Sequence, residues 1–332
     1  MQIRVMAGAF SFCIFSLGLF LGAGVRPLLM PAMKSEPALI GPIVTGMFSR
    51  YNITALGLSV LGLILEMTSK PSLTGLLLMV ALALILALKV AFDIVIKRRE
   101  GAGQIRGIGE EGKRLNLLHQ IVERATLAIM VLSFGSFVLN LLPIANCELQ
   151  SGKLKFTSER SDRNQPRWSG RSLDRESCSF KRSKEKESLM HLLNIATVFI
   201  VISLVGVEFS VAAFVDPSAW RLEPEPQLKL LSRVASVLGK VMPVWYPVSA
   251  LLLGIQTWLY WRTSGRDVLL IATLVWLIAS VGSIVFLVPL NTRVAKGDAD
   301  WQRIHRVWDK RHRARTAVLA IAAVMVLYVV VR

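Results

Sequence analysis

The chain has 332 residues, 53% of them hydrophobic, with a mean hydropathy of +0.54. That is too apolar for a water-soluble fold of this length and predicts an integral membrane protein. The formal net charge of +17 does not argue for nucleic acid. The basic residues cluster between long apolar runs, where the cytoplasmic charge bias of membrane proteins already accounts for them. The expected partner is membrane lipid.

A helix crossing the bilayer core needs about twenty mostly apolar residues, because backbone amides left unpaired in hydrocarbon are costly. In chain order, spans are predicted near 5–24, 47–67, 73–96 and 125–142, then near 192–215, 234–261, 268–290 and 316–331. The first has the outline of a signal peptide, with Arg4 ahead of it and Gly22, Ala23 and Gly24 behind. Its apolar run exceeds the roughly 7–15 residues of a signal core, so it is read as a span. Between the fourth and fifth spans, Asn146 to Glu187 contain eleven basic and seven acidic residues, many serines and no apolar periodicity. Such a composition predicts disorder. The expected fold is therefore all-α: a four-helix membrane bundle over 1–145, a disordered basic linker over 146–189, and a second four-helix bundle over 190–332.

The halves echo each other. HQIVERATLAIMVL from His119 and HRARTAVLAIAAVMVL from His312 each lead through a His and an Arg into a final span. Duplication explains this, and so does the ordinary placement of Arg at helix entrances. The loops after spans one, three, five and seven carry most of the Lys and Arg outside the linker. This places those loops in the cytoplasm and the termini outside, in a plasma membrane. The linker breaks the rule, since an even number of spans precedes it. Met190, opening MHLLNIATVFIVISLVG, suggests that the second half was once a separate chain and the linker a fusion or read-through scar. Cys13 reads as a small apolar residue of the first span, and Cys147 and Cys178 can pair only if the linker faces an oxidising compartment.

Residues 190–332 resemble the anthrone oxygenase-like family of four-helix membrane proteins. The carriers are GVEF with Gly206, Glu208 and Phe209, then Pro217, VPLNTR with Pro289 and Asn291, and Trp308, His312 and Arg315 in WDKRHRAR. Residues 1–145 are similar to the transmembrane-protein-205-like family, a domain of unknown function, through GLFLGAGVRPLLMPAM, MFSRYN and LNLLHQIVERA. The first resemblance implies oxidation of a lipophilic aromatic anthrone to a quinone by molecular oxygen, without metal or other cofactor. A fold resemblance alone does not carry the chemistry.

A charge at a helix centre costs about 2.5–3.5 kcal/mol on insertion scales, which singles out Glu208, Lys240, Lys89 and Asp93. Lys89 and Asp93, four residues apart, are expected to neutralise each other with Lys89 snorkelling. Glu208 has no local partner. It either pairs with Lys240 or Arg315, or its burial disfavours the charged form and makes it a proton acceptor. Asn291, after Pro289, either satisfies carbonyls at the end of the seventh span or contacts substrate. Pro243 and Pro247 are expected to kink the sixth span, as cavity wall or as packing. They have no evident counterpart in the first half.

In WQRIHRVWDKRHRAR, Trp301, His305, Trp308, His312 and Arg315 fall at steps of four, three, four and three and form one helical stripe, with the other basic residues off it. Two His seven apart supply too few ligands for a metal. The stripe is either an interfacial aromatic belt or the mouth of a cavity containing Glu208. On the second reading Glu208, His312 and Arg315 are catalytic candidates, and Asn291 and Trp308 contact a small lipophilic molecule. No Gly-rich phosphate loop occurs, and GAGQIRGIGEEG reads as a flexible loop. Three roles remain open: a cofactor-independent oxygenase, a small-molecule transport or resistance protein, and a structural membrane partner. Interrupted helices at matching places in the two halves would favour transport.

Overall fold

The structure, a computed structural model, describes residues 2–68, 73–158 and 171–331; the side chains of 141–188 and a few others lie outside the description. Helix α1 (Gln2–Leu19) passes through a π-helical turn, Phe20–Val25, into α2 (Arg26–Ser35). Helices α3 (Pro37–Thr68), α4 (Leu73–Gly101) and α5 (Gly109–Ser158) complete the first half. Helix α6 (Arg171–Ser210) passes through a second π turn, Val211–Val215, into the short α7 (Asp216–Ala219). Then come α8 (Pro224–Leu259), α9 (Arg266–Phe286), α10 (Val288–Ala295) and α11 (Trp301–Val331). No strand occurs among the described residues.

Eight helices are long and apolar enough to cross a membrane, and the protein is a multi-pass helical membrane protein. Of the expected disordered linker, residues 146–158 and 171–189 continue α5 and α6 as helix, and 159–170 lie outside the description. So do the side chains of Cys147 and Cys178.

The spans form two four-helix bundles, α1, α3, α4 and α5 in the first and α6, α8, α9 and α11 in the second. The bundles join along α1 and α6. In its most apolar stretch the fifth span has 72% of its residues buried and the first 56%, against 17–33% for the other six. These two are therefore the central helices, and the other six meet lipid. One core runs through the join, with Ile14, Leu17, Leu21 and Val25 packed with Phe214, Val215 and Leu230. Aromatic contacts pin it at two levels, Phe12 on Phe199 at 4.6 Å and Tyr51 edge-on to Phe214 at 6.4 Å. Gly18 is required beneath Tyr51, because a Cβ there would lie 2.6 Å from the phenol oxygen, which donates to the Ile14 carbonyl at 3.2 Å.

The two π turns occupy matching places and have a matching cause. Each is followed by a charged residue and a proline, Arg26–Pro27 and Asp216–Pro217. A proline has no N–H to donate four residues back, and its ring clashes with the carbonyl there, so the preceding turn widens. Those carbonyls belong to Ala23 and Ala213, inside the π turns. Both charged residues reach the last span of their own half. Arg26 pairs with Glu123 at 2.7 Å, and Asp216 faces His305 at 3.5 Å.

Several expectations are corrected. Lys89 does not snorkel: it is 1% exposed, and Asn52 stands between it and Asp93, accepting from Lys89 at 2.8 Å and donating to Asp93 at 2.6 Å. The aromatic faces of Phe48 and Tyr51, 6.0 and 5.5 Å from Nζ, complete the shell. The seventh span stops at Phe286, because Pro289 starts a separate short helix. The fourth and eighth spans begin earlier than expected, at Gly109 and Trp301. The basic stretches ahead of them are thus continuous with the transmembrane helices.

Candidate functional site

The second bundle encloses a cavity of about 560 Å³ between α8 and α9, closed behind by α6 and α11. Helices α8 and α9 are pinned at one end by Trp276 donating to Ser249 at 2.9 Å and by the Thr257–Thr273 hydroxyl pair at 2.8 Å. Near the other end, Ser232 of α8 bonds the Val294 carbonyl of α10 at 3.4 Å. Between these points Met242, Pro243, Tyr246 and Pro247 face Leu277, Ser280 and Ile284 across open space. Pro243 and Pro247 remove a donor from two successive turns of α8 on this wall. Leu277, Val281 and Ile284 line the cavity yet are 42%, 58% and 67% exposed, so this wall also faces the bilayer.

The five candidate site residues of this half, Glu208, Asn291, Trp308, His312 and Arg315, all line this one cavity. Glu208 is 3% exposed and pairs with Arg315 through Oε2, while its Oε1 accepts from the Tyr246 hydroxyl at 2.6 Å. Arg315 also donates to Ser283 at 2.8 Å and to His312 Nδ1 at 3.0 Å, and its guanidinium lies 5.6 Å from the Tyr246 ring centre. His312 Nε2 lies 3.1 Å from the Glu208 carbonyl oxygen. A carbonyl only accepts, so Nε2 carries the hydrogen there, while Nδ1 lies between the Arg315 guanidinium and Glu208 Oε2, 3.2 Å away. The network is thus nearly saturated, and Lys240, exposed on α8, takes no part in it.

The aromatic stripe of α11 faces inward. Trp308 stacks on His312 with centroids 4.5 Å apart and planes 9° apart, and on His305 at 5.5 Å and 17°. Trp220 continues the ladder at 5.4 Å from His305. Arg303, Arg306, Lys310, Arg311 and Arg313 are exposed, with the Arg306 guanidinium over the Trp220 ring at 5.3 Å. Asn291 makes no side-chain hydrogen bond among the described residues, so the expectation that its amide caps the seventh span is not met and the amide is free on the cavity wall.

Sequence reasoning missed Tyr246, Ser283 and above all Asp216. Eight residues after Glu208, Asp216 would stand about 80° away around an uninterrupted α-helix. The extra residue of the π turn makes the effective spacing seven and brings the two within about 20°. Asp216 is 1% exposed and its Oδ2 has no hydrogen-bond partner; the same holds for Nε2 of His305 and Nε of Arg315. The Asp216–Pro217 dipeptide and its Arg26–Pro27 counterpart were the available signal.

A second cavity, of about 610 Å³, lies in the first bundle and was not anticipated. Arg26, Thr45, Glu100, Arg106, His119 and Glu123 line it. Thr45 donates to Glu100 at 2.9 Å, and His119 Nε2 lies 3.4 Å from the same carboxylate. The Gly-rich loop read as flexible is instead folded over this cavity, with Gly103, Gly107 and Gly109 at positive φ and Arg106 donating to Asn116 at 2.7 Å. Pro42, near the start of the second span, lines this cavity as Pro243 and Pro247 line the other, while Pro37 is the first residue of α3 and lies ahead of the span.

Among the described residues no three His, Cys, Asp or Glu side chains converge as a metal-ligand set. No family model, curated protein or solved structure matches this chain, so its function is read from the geometry of these cavities.

Proposed function

We propose that the second bundle binds a lipophilic aromatic molecule bearing an acidic hydroxyl and oxidises it as a cofactor-independent oxygenase, the activity implied by the resemblance of residues 190–332. The observation that carries this reading is the buried Glu208–Arg315–His312–Tyr246 network at the polar end of an otherwise apolar cavity. At about 560 Å³ the cavity falls inside the roughly 300–1,000 Å³ range of small-molecule sites. Such a network holds one cation fixed in a low-dielectric wall, the arrangement that stabilises an anion formed from a bound weak acid. Trp308, stacked between His305 and His312, offers its aromatic edge, and Asn291 offers a free amide, to an aromatic, oxygenated ligand. The net reaction replaces a ring CH2 by C=O, one oxygen atom entering the ketone and the other leaving as water. Substrate supplies all the electrons, and no reductant is needed.

We read the chain as a plasma-membrane protein with its basic loops in the cytoplasm, an orientation that the distribution of Lys and Arg supports. Both cavities then open near the cytoplasmic side, since the loop over the first and the basic entrance of α11 beside the second belong to that face.

The test is oxygen uptake by the full chain in lipid nanodiscs with 1,8-dihydroxyanthrone, alongside formation of the quinone. Wild type is expected to consume oxygen, and Arg315→Ala to lose specific activity beyond any loss of abundance. Reduced abundance with unchanged specific activity would overturn the site assignment. A transport reading is favoured by one observation, the matched π turns in α1 and α6. It predicts probe accumulation in vesicles without oxygen uptake.

A further inference from the structure

We infer that Asp216, positioned by His305, is the group that takes the proton from the ligand hydroxyl in the second cavity, with Glu208 serving to hold Arg315. The inference rests on the binding reading above and assigns its acid–base step.

The network around Glu208 has little capacity left. Its carboxylate already accepts from Tyr246 and Arg315, and both nitrogens of His312 are engaged. The unsatisfied atoms lie elsewhere on the same wall. Asp216 Oδ2 is an acceptor without a donor, buried at the foot of the π turn in a residue only 1% exposed. Oδ2 is therefore the carboxylate oxygen on this wall with lone pairs open to a new donor. His305 Nε2 lies 3.5 Å from Asp216 Oδ1, a contact just short of a hydrogen bond, and the ring is held between Trp220 and Trp308. Apo sites often show such loose contacts that tighten when the ligand arrives. Asp309, His312 and Arg313 of α11 also act electrostatically on Asp216.

In the step, the ligand O–H bond breaks and an O–H bond forms at Asp216 Oδ2. The electron pair stays on the ligand oxygen, giving a phenolate or enolate. The site's net charge is unchanged, and the negative charge moves from Asp216 to the ligand. The Nε–H of Arg315, a buried donor with no partner, is available on the same cavity wall to receive that charge. One free acceptor and one free donor thus match the two ends of a proton transfer.

The probe is 1,8-dihydroxyanthraquinone, whose visible band moves to longer wavelength on ionisation and which has no CH2 left to oxidise. It is added to the full chain in nanodiscs. Binding is followed by quenching of tryptophan emission, ionisation by the visible band, and the proton's destination by infrared difference spectroscopy. Wild type is expected to bind the probe, ionise it at neutral pH and gain a carboxylic-acid C=O band. Asp216→Asn should still bind, with the ionised fraction lowered on the order of tenfold or more, the effect of one pKa unit. His305→Gln should lower it in the same direction. Ionisation in wild type without a new carboxylic-acid band would overturn the assignment even if both variants misfolded. So would Asp216→Asn ionising the probe as wild type does. Failure of wild type to bind at all would instead overturn the binding reading, and this step with it.

Discussion

At the scale of single residues, the decisive contrast is between charges that found partners and charges that did not. Glu208 and Arg315 form a buried pair, and removing one member leaves the other desolvated and alone. Arg315→Ala is expected to destabilise the protein by about 3–5 kcal/mol, whereas the double replacement Glu208→Met with Arg315→Met should cost clearly less. Thermal unfolding in detergent, run on the single and double variants, measures this. If the double variant is as unstable as the single one, Glu208 and Arg315 are not coupled. Glu208 was legible because a lone acid in an apolar run demands an explanation, and Arg315 because it ends a helical stripe. Asn52 was not legible as the bridge between Lys89 and Asp93, since it lies on another helix and nothing local marks it. Asp216 was hidden for a different reason, its face being set by a π turn that ordinary helical periodicity does not describe.

The element that most repays a test is α6 with its π turn. The extra residue there is an insertion that leaves the helix on both sides facing the same way. Deleting Ala212 from the turn is expected to be tolerated at near wild-type membrane abundance, because Glu208 and Asp216 keep their face. Deleting Leu204 from the regular part of α6 swings everything on one side of it by about 100° and is expected to abolish accumulation. Equal outcomes for the two deletions would contradict this account of the turn. In α1, Gly18→Ala is expected to cost about 1–3 kcal/mol in a melting experiment, since the Tyr51 ring above it is fully buried and cannot yield freely. The eight spans were readable from apolar run length alone. Their ends were less so: basic entrances that look like loops turn out to be helix, and one proline at 289 cuts the seventh span short.

For the whole molecule, the join between α1 and α6 determines what the halves can do apart. The fifth span packs on α1 of the first half as well as on α8 and α11 of its own, so residues 190–332 expressed alone lose one of its buried faces and should accumulate poorly. Co-expressed with residues 1–145, they should recover and co-purify with them. Recovery of the isolated second half to full abundance would mean that the join contributes little. Two bundles were visible in the sequence as four spans, a polar gap and four spans. That their central helices share one core was not, because both faces of such a helix are apolar and periodicity carries no orientation. The cavity wall formed by Leu277, Val281 and Ile284 has a thermodynamic consequence for any ligand. These side chains border acyl chains rather than water, so the relevant reservoir is ligand dissolved in the surrounding leaflet. Occupancy then follows mole fraction in lipid, and a dissociation constant quoted per litre should rise in proportion to the lipid added at fixed protein.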